Sequence, residues 1–247
     1  VYHILKNAGL NVGLGGNIGD SFAKQVAEED KEYFVLEISS FQLDNCTTFK
    51  PHIAILTNIT EDHLDRYDYK FENYISSKFS IAKNQTEDDF FIYCLDDEVS
   101  KKYLNQFDIK AKLIPFSYYQ KLEEGGYIED KNLIININKN KFTMPTNELA
   151  LQGIHNTYNS LAAGIGAKLF NVRNEKIRDS FQDFKSLEHR LEFVATVKGV
   201  DFINDSKATN VNSTWYALES MIKPTVLILG GVDKGNDYTL IKDLVKE

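Results

Sequence analysis

Cysteine is nearly absent. Cys46 and Cys94 are the only two in 247 residues, too few for a disulfide framework and at a spacing that matches no zinc-ligand pattern. A stapled secreted domain is thereby excluded, and a reducing, cytoplasmic compartment is the simplest expectation. No apolar run approaches the roughly 20 residues that cross a bilayer. The opening VYHILKNAGLNVG also lacks the charged region and cleavage site of a signal peptide. No membrane is therefore expected as a partner. Basic residues are outnumbered, 28 Lys and Arg against 36 Asp and Glu for a formal net charge of -8. That balance argues against nucleic acid as a partner, while a local cluster of Lys and Arg can still hold an anionic small molecule. Internal repeats and low-complexity segments are missing too. What remains, 43% hydrophobic and 26% charged residues, is the make-up of a globular protein of one large or two smaller domains.

Two phosphate-binding signatures are also lacking. GLGGNIGD follows Gly13, Gly15 and Gly16 with Asn17 and Ile18, so the next glycine falls at 19 and the G-x-G-x-x-G spacing fails. No G-x-x-x-x-G-K-[ST] run occurs. The chain opens without methionine and in mid-pattern, and a final helix from about Tyr238 stops at Glu247 without a cap. Both ends read as cut, so an absent motif carries little weight.

The pattern that is present alternates short buried strands with amphipathic helices, which predicts an α/β fold with a mostly parallel sheet. Strands are expected at Leu10 to Leu14, Tyr33 to Ile38, Ile53 to Asn58 and Phe90 to Tyr93. Helices are expected over Ser21 to Glu29, N-capped by Asp20, and over Phe71 to Lys83. From Ala111 to Pro145 short alternating segments (AKLIPFS, GGYIE, NLIININ, KFTMP) separated by turn residues predict a small antiparallel appendage. Helices follow at about Asn156 to Phe170 and Asn174 to Phe181. After a boundary near Ser186 to Leu187, LEFVATVKGVDFINDS, NSTWYALESM and TVLILGG read as the start of a second, Rossmann-like α/β domain. The expected domains are thus 1–186 and 187–247.

Polar residues at the carboxyl ends of parallel strands are the first site candidates. Glu37 ends the strand YFVLE, where an apolar residue is the default, and either binds a cation or turns to solvent. HIAILTN runs into ITEDHLDRY, bringing Glu61, Asp62, His63, Asp65 and Arg66 to the same edge. A carboxylate and the imidazole among them read as magnesium or manganese ligands, or the cluster as a solvated acidic turn that caps the following helix. Lys78 lies on the apolar stripe of Phe71, Tyr74, Ile75 and Ala82. There it either snorkels along the stripe or stays buried with a depressed pKa, in which state its amine can take up carbon dioxide as an anionic carbamate. Arg190 in HRLEF suits a phosphate or carboxylate, or a surface ion pair. Asp205, Lys207 and Thr209 in NDSKATN, with Lys234 after TVLILGG, fall at strand ends of the second domain, where cations suit an anionic substrate and a transferring phosphoryl group.

GGNIG, LEISSFQL, TNITEDHLDRY, YISSKF, GIHNTYNSLAA, HRLEF, NDSKATN and GGVDKG, in this order, resemble the Mur ligases, nearest to the branch that adds D-glutamate to UDP-N-acetylmuramoyl-L-alanine. The resemblance covers nearly the whole chain. It implies the central ATPase domain from just after its P-loop and the opening of the third domain, and cytoplasmic synthesis of a peptidoglycan precursor. It further implies a monomer that uses ATP and two magnesium ions. By the same resemblance Glu37 holds one magnesium, and His63 with carbamylated Lys78 holds the other. Asn17 and Ser39 contact the UDP-sugar, Asn156 and Asn159 the adenine side of ATP, and Arg190 the phosphates. Asp205 reaches the ribose, Lys207 the developing charge, and Thr209 and Lys234 the α-carboxylate of D-glutamate. Two other readings are a different ATP-dependent amino-acid ligase, such as a folylpolyglutamate synthase, and a non-catalytic Rossmann-like binding module.

Overall fold

The computed structural model describes residues 1–185, 189–232 and 237–246. It divides into two compact units: residues 1–61 with 70–184, and residues 62–69 with 185–247. The expected boundary at Ser186 to Leu187 lies outside the described residues.

In the first unit, α1 (Tyr2–Asn7) leads into β1 (Val12–Gly16), which pairs in parallel with β2 (Tyr33–Glu37) across α2 (Phe22–Glu28). The N-cap of α2 is Ser21, whose hydroxyl accepts the Lys24 N–H at 3.4 Å. Asp20, expected in that role, forms an isolated bridge with Gly15 instead. A short helix, α3 (Ser40–Leu43), follows β2 and was not anticipated.

A six-stranded sheet makes up the rest of this unit. Its order is β3 (Ile53–Leu56), β4 (Phe90–Cys94), β5 (Lys112–Ser117), β6 (Gly125–Glu129), β7 (Asn132–Ile137) and β8 (Asn140–Pro145). The first four are parallel and the last two antiparallel. Between β3 and β4 runs α4 (Phe71–Phe79), and between β4 and β5 runs α5 (Glu98–Tyr103). AKLIPFS, expected in an antiparallel appendage, is therefore the third parallel strand, and β6 to β8 extend the same sheet. Alternation of side chains tells which face a strand buries but not which neighbour it pairs with.

Helix α6 (Ile154–Leu169) and α7 (Asn174–Asp183) complete the unit. Leu161 and Ile165 of α6 join Phe116, Leu133, Ile135 and Phe142 of the sheet in one core, each no more than 1% exposed. The helix comes this close because residue 164 is glycine, where a Cβ would collide with Ile135 Cδ1.

In the second unit, β9 (Glu192–Val197) and β10 (Val200–Asn204) form an antiparallel ribbon. It turns at Lys198 and Gly199, with φ of 52° and 80°, the left-handed pair that matches strand twist in a two-residue hairpin. Helix α8 (Val211–Glu219) starts at Asn210, whose side chain accepts the Ser213 N–H at 2.9 Å. After a 3-10 turn at Tyr238–Ile241 comes α9 (Lys242–Lys246). TVLILGG, expected as a buried strand, is not one. Val226 and Ile228 stand 91% and 94% exposed, and no described strand pairs with the segment. An apolar run becomes a strand only against a neighbour that satisfies its backbone.

Candidate active site

At the end of β2 the sequence motifs GGNIG and LEISSFQL meet. Gly16 pairs with Glu37 in the parallel register, and the backbone then turns at Gly16 with φ +98°. A side chain there would strike the Glu37 carbonyl, so glycine alone lets Asn17 fold over the strand end. Asn17 then donates twice to Glu37, from its backbone N–H to the carbonyl at 2.7 Å and from Nδ2 to Oε1 at 3.0 Å. The carboxylate of Glu37 is exposed and oriented by a neutral amide. That suits a hard cation, which takes oxygen ligands.

Two residues on, Ser39 caps α3. Its hydroxyl accepts the Gln42 N–H at 3.3 Å while Gln42 Oε1 accepts the Ser39 N–H at 2.9 Å. This reciprocal capping box is spelled S-x-x-Q in the sequence, a signal that identifies the missed helix. From the last turn of α3 a link reaches α4. The Ser77 hydroxyl lies 2.5 Å from Asp44 Oδ1 and 3.0 Å from the Ser40 carbonyl. The next residue, Lys78, is half-buried with its Nζ 5.0 Å from the centroid of the Tyr74 ring. That places its Nζ within reach of an aromatic face on the same stripe.

The lysine that is shut away is another one. Lys168 is 4% exposed, and its Nζ donates to Asn140 Oδ1 at 2.7 Å and Asn174 Oδ1 at 2.9 Å. Burial lowers its pKa, and these two partners are neutral amides that do not restore the charged form as a carboxylate would. It was legible, lying seven residues after Leu161 on the apolar stripe of α6.

On α6 itself Asn156 donates from Nδ2 to the Gln152 carbonyl at 2.8 Å, and Asn159 is exposed. Both belong with Asn17, Glu37, Ser39 and Lys78 to the first unit.

His63 belongs to the second. It takes up a left-handed conformation, φ 53°, at the start of a 3-10 turn over Leu64–Tyr67, with its N–H donating to Asp62 Oδ1 at 2.9 Å and its Nε2 3.6 Å from Asp62 Oδ2. Among the described residues no three His, Cys, Asp or Glu side chains gather into a metal-holding group. The trio Glu37, His63 and Lys78 is thus divided between the units. An amine must first become a carbamate before it offers an oxygen ligand.

HRLEF and NDSKATN come together at one end of the ribbon. The Lys207 N–H donates to the His189 carbonyl at 2.9 Å, and Asp205 Oδ1 accepts the Leu191 N–H at 3.0 Å. His189 Nδ1 and Asn204 Nδ2 are 2.7 Å apart, and Glu192 Oε2 accepts the His189 N–H at 2.7 Å. This lacing brings Arg190, Asp205 and Lys207 onto neighbouring turns, with Arg190, Lys207 and Thr209 exposed. Lys234 lies outside the described residues.

The chain belongs to the Mur ligase family, whose middle domain matches residues 1–167. It is 58% identical over all 247 residues to UDP-N-acetylmuramoylalanine--D-glutamate ligase of Christiangramia forsetii, and 57% identical to the protein of that name from Bacteroides fragilis. The match takes in 100% of this chain and 56% and 55% of those relatives, so the chain spans about half their length. Among solved structures, a pseudomurein peptide ligase type C from Methanothermus fervidus shares the fold with a TM-score of 0.64 at 19% identity, covering 91% of this chain and 53% of its own.

Proposed function

We propose that this chain belongs to a cytoplasmic, ATP-dependent ligase that joins D-glutamate to UDP-N-acetylmuramoyl-L-alanine in peptidoglycan precursor synthesis. The observation that carries the reading is the 58% identity along the entire chain to a relative bearing that activity in its name. The fold alone would not carry it, because one fold hosts many chemistries. A cytoplasmic setting is supported by the scarcity of cysteine and by the lack, among the described residues, of a helix long and apolar enough to cross a membrane.

In the proposed reaction the terminal carboxylate of the UDP-sugar attacks the γ-phosphorus of ATP, giving an acyl phosphate and ADP. The amine of D-glutamate then attacks the acyl carbon. The C–N bond forms, the C–O bond to phosphate breaks, phosphate departs and the amine gives up a proton. Domain 1–186 supplies Asn17 and Ser39 to the UDP-sugar and Asn156 and Asn159 to the adenine side of ATP. Domain 187–247 supplies Arg190 to the phosphates, Asp205 to the ribose, Lys207 to the developing charge, and Thr209 and Lys234 to the α-carboxylate of D-glutamate.

Magnesium, when bound, offsets the repulsion between an anionic acceptor and an anionic donor. Glu37 fits as its oxygen ligand, exposed and turned by Asn17. His63 and Lys78 would hold a second ion, Lys78 only as a carbamate. For that, its ammonium first gives a proton to water and leaves Tyr74; the free amine then forms an N–C bond to carbon dioxide as one C–O π bond opens, and a second proton goes to water.

The test is an assay of the complete gene product for phosphate release that depends on both D-glutamate and UDP-N-acetylmuramoyl-L-alanine. Turnover with a folate substrate instead would reject the proposal. Lys78→Ala is expected to abolish turnover, with partial recovery on adding short carboxylates; full activity in that variant would remove the carbamate from the mechanism.

A further inference from the structure

The loop after β4 carries a carboxylate that none of these roles uses. Asp96 receives three donors from two other parts of the first unit. Its Oδ1 accepts the Ser117 hydroxyl at 2.6 Å, and its Oδ2 accepts the Tyr118 N–H at 2.6 Å and the Tyr158 phenol at 2.8 Å. Ser117 is fully buried and accepts in turn from the N–H groups of Tyr119 and Gln120 at 3.1 and 2.8 Å. The turn after β5 is thereby fixed on Asp96 without help from α6. The phenol is an addition to an already held carboxylate. Its ring is seated by Phe116 and Tyr118, with centroids 6.2 and 6.0 Å away. Burial, and then the hydrogen bond to Asp96 and its charge, push the Tyr158 phenol up.

Tyr158 sits between Asn156 and Asn159 in the sequence GIHNTYNS. At 100° per residue the two asparagines share one side of α6 and the tyrosine points elsewhere. The apolar face of α6 sets how deep the helix lies, but apolar contacts are non-directional. A hydrogen bond from one side chain to a fixed carboxylate has a direction and therefore sets the roll of the helix about its axis.

We propose that Asp96 and Tyr158 are positioning residues for the nucleotide: their hydrogen bond holds the first turns of α6 at the rotation that presents Asn156 and Asn159 to the base. This rests on the reading, made above, that those asparagines meet the adenine side of ATP.

Tyr158→Phe tests it in the complete gene product, because the variant keeps the ring in place and leaves Asp96 its other two donors. The expected result is a KM for ATP raised roughly tenfold, with kcat and the KM for the UDP-sugar changed less than about twofold. The preference for ATP over GTP in kcat/KM falls with it, a ratio that a loss of stability alone would not move. A lower melting temperature with the ATP KM and the ATP to GTP ratio both unchanged would overturn the proposal and leave the bond a purely structural tie. Asn156→Ala and Asn159→Ala are measured alongside. If they raise the KM for ATP and Tyr158→Phe does not, the positioning role fails while the nucleotide reading stands. If neither asparagine variant changes it, the nucleotide reading fails and the positioning role falls with it.

Discussion

The two units spend their apolar residues differently. In the first, helices and a six-stranded sheet bury Phe116, Ile135, Leu161 and Ile165 completely. In the second, the ribbon leaves Phe193 and Phe202 62% and 52% exposed, and Val194, Val197 and Ile203 line a shallow apolar hollow on it. What holds the ribbon end together is polar: the backbone and side-chain bonds that join the turn at His189 to Asp205 and Lys207. The contrast separates two ways of placing a functional residue. Glu37 and Lys78 are placed by elements anchored in a core, whereas Arg190 and Lys207 are placed by turns laced to each other.

The contrast is sharpest at a core aromatic. Phe116→Ala in the first unit is expected to cost about 3–5 kcal/mol, the usual range for removing a buried phenyl ring. A fall in melting temperature of roughly 10 °C would register it. A loss near zero would mean that this unit is no better packed than the ribbon.

Next in size is a charged residue just before β4. Asp89, 3% exposed, accepts from the Thr86 N–H at 2.7 Å and lies 3.0 Å from both Lys50 Nζ and His52 Nδ1. Burial pushes its pKa up, but the bonds from Thr86, His52 and Lys50 outweigh that and hold it well below the usual carboxylate range. A carboxyl with a depressed folded pKa contributes stability above its unfolded value near pH 4 and loses it as pH falls through the folded value. Asp89→Ala is therefore expected to cost about 2–3 kcal/mol at pH 7, with the gap to the parent narrowing as the pH is lowered below 4. Denaturant unfolding at pH 7 and pH 3 measures it; a gap that widens on acidification would reverse the sign of the argument.

Smallest of all should be Phe202→Ser on the ribbon, within about 0.5 kcal/mol of the parent. A loss of several kcal/mol would show that the exposed face is covered in the working protein and would erase the difference between the units.

Much of this was legible in the chain, and what was not has a common cause. Local signals held: the apolar runs at Ile53 and Phe90 are β3 and β4, and the helical stripe through Leu161 and Ile165 is α6. The motifs at Gly16, Glu37, Arg190 and Asp205 pointed to turns that the structure brings together in pairs. Non-local facts were lost. AKLIPFS has strand chemistry, but that it lies parallel to β4 is settled by Leu113 and Phe116 meeting Phe91 and Cys94, far away in sequence. TVLILGG has the same chemistry with no described partner. Asp96 gave no sign either, because a carboxylate in a loop looks solvated until Ser117, Tyr118 and Tyr158 are seen to converge on it.

Helix α6 is tied at both ends by polar bonds, Tyr158 to Asp96 near its start and Lys168 to Asn140 and Asn174 near its finish. A rod gripped only by oily surfaces can jump one turn along its neighbour, about 5.4 Å. With a lock at each end, such a jump would break both locks at once and strand the buried Lys168 amine and the half-buried Tyr158 phenol together.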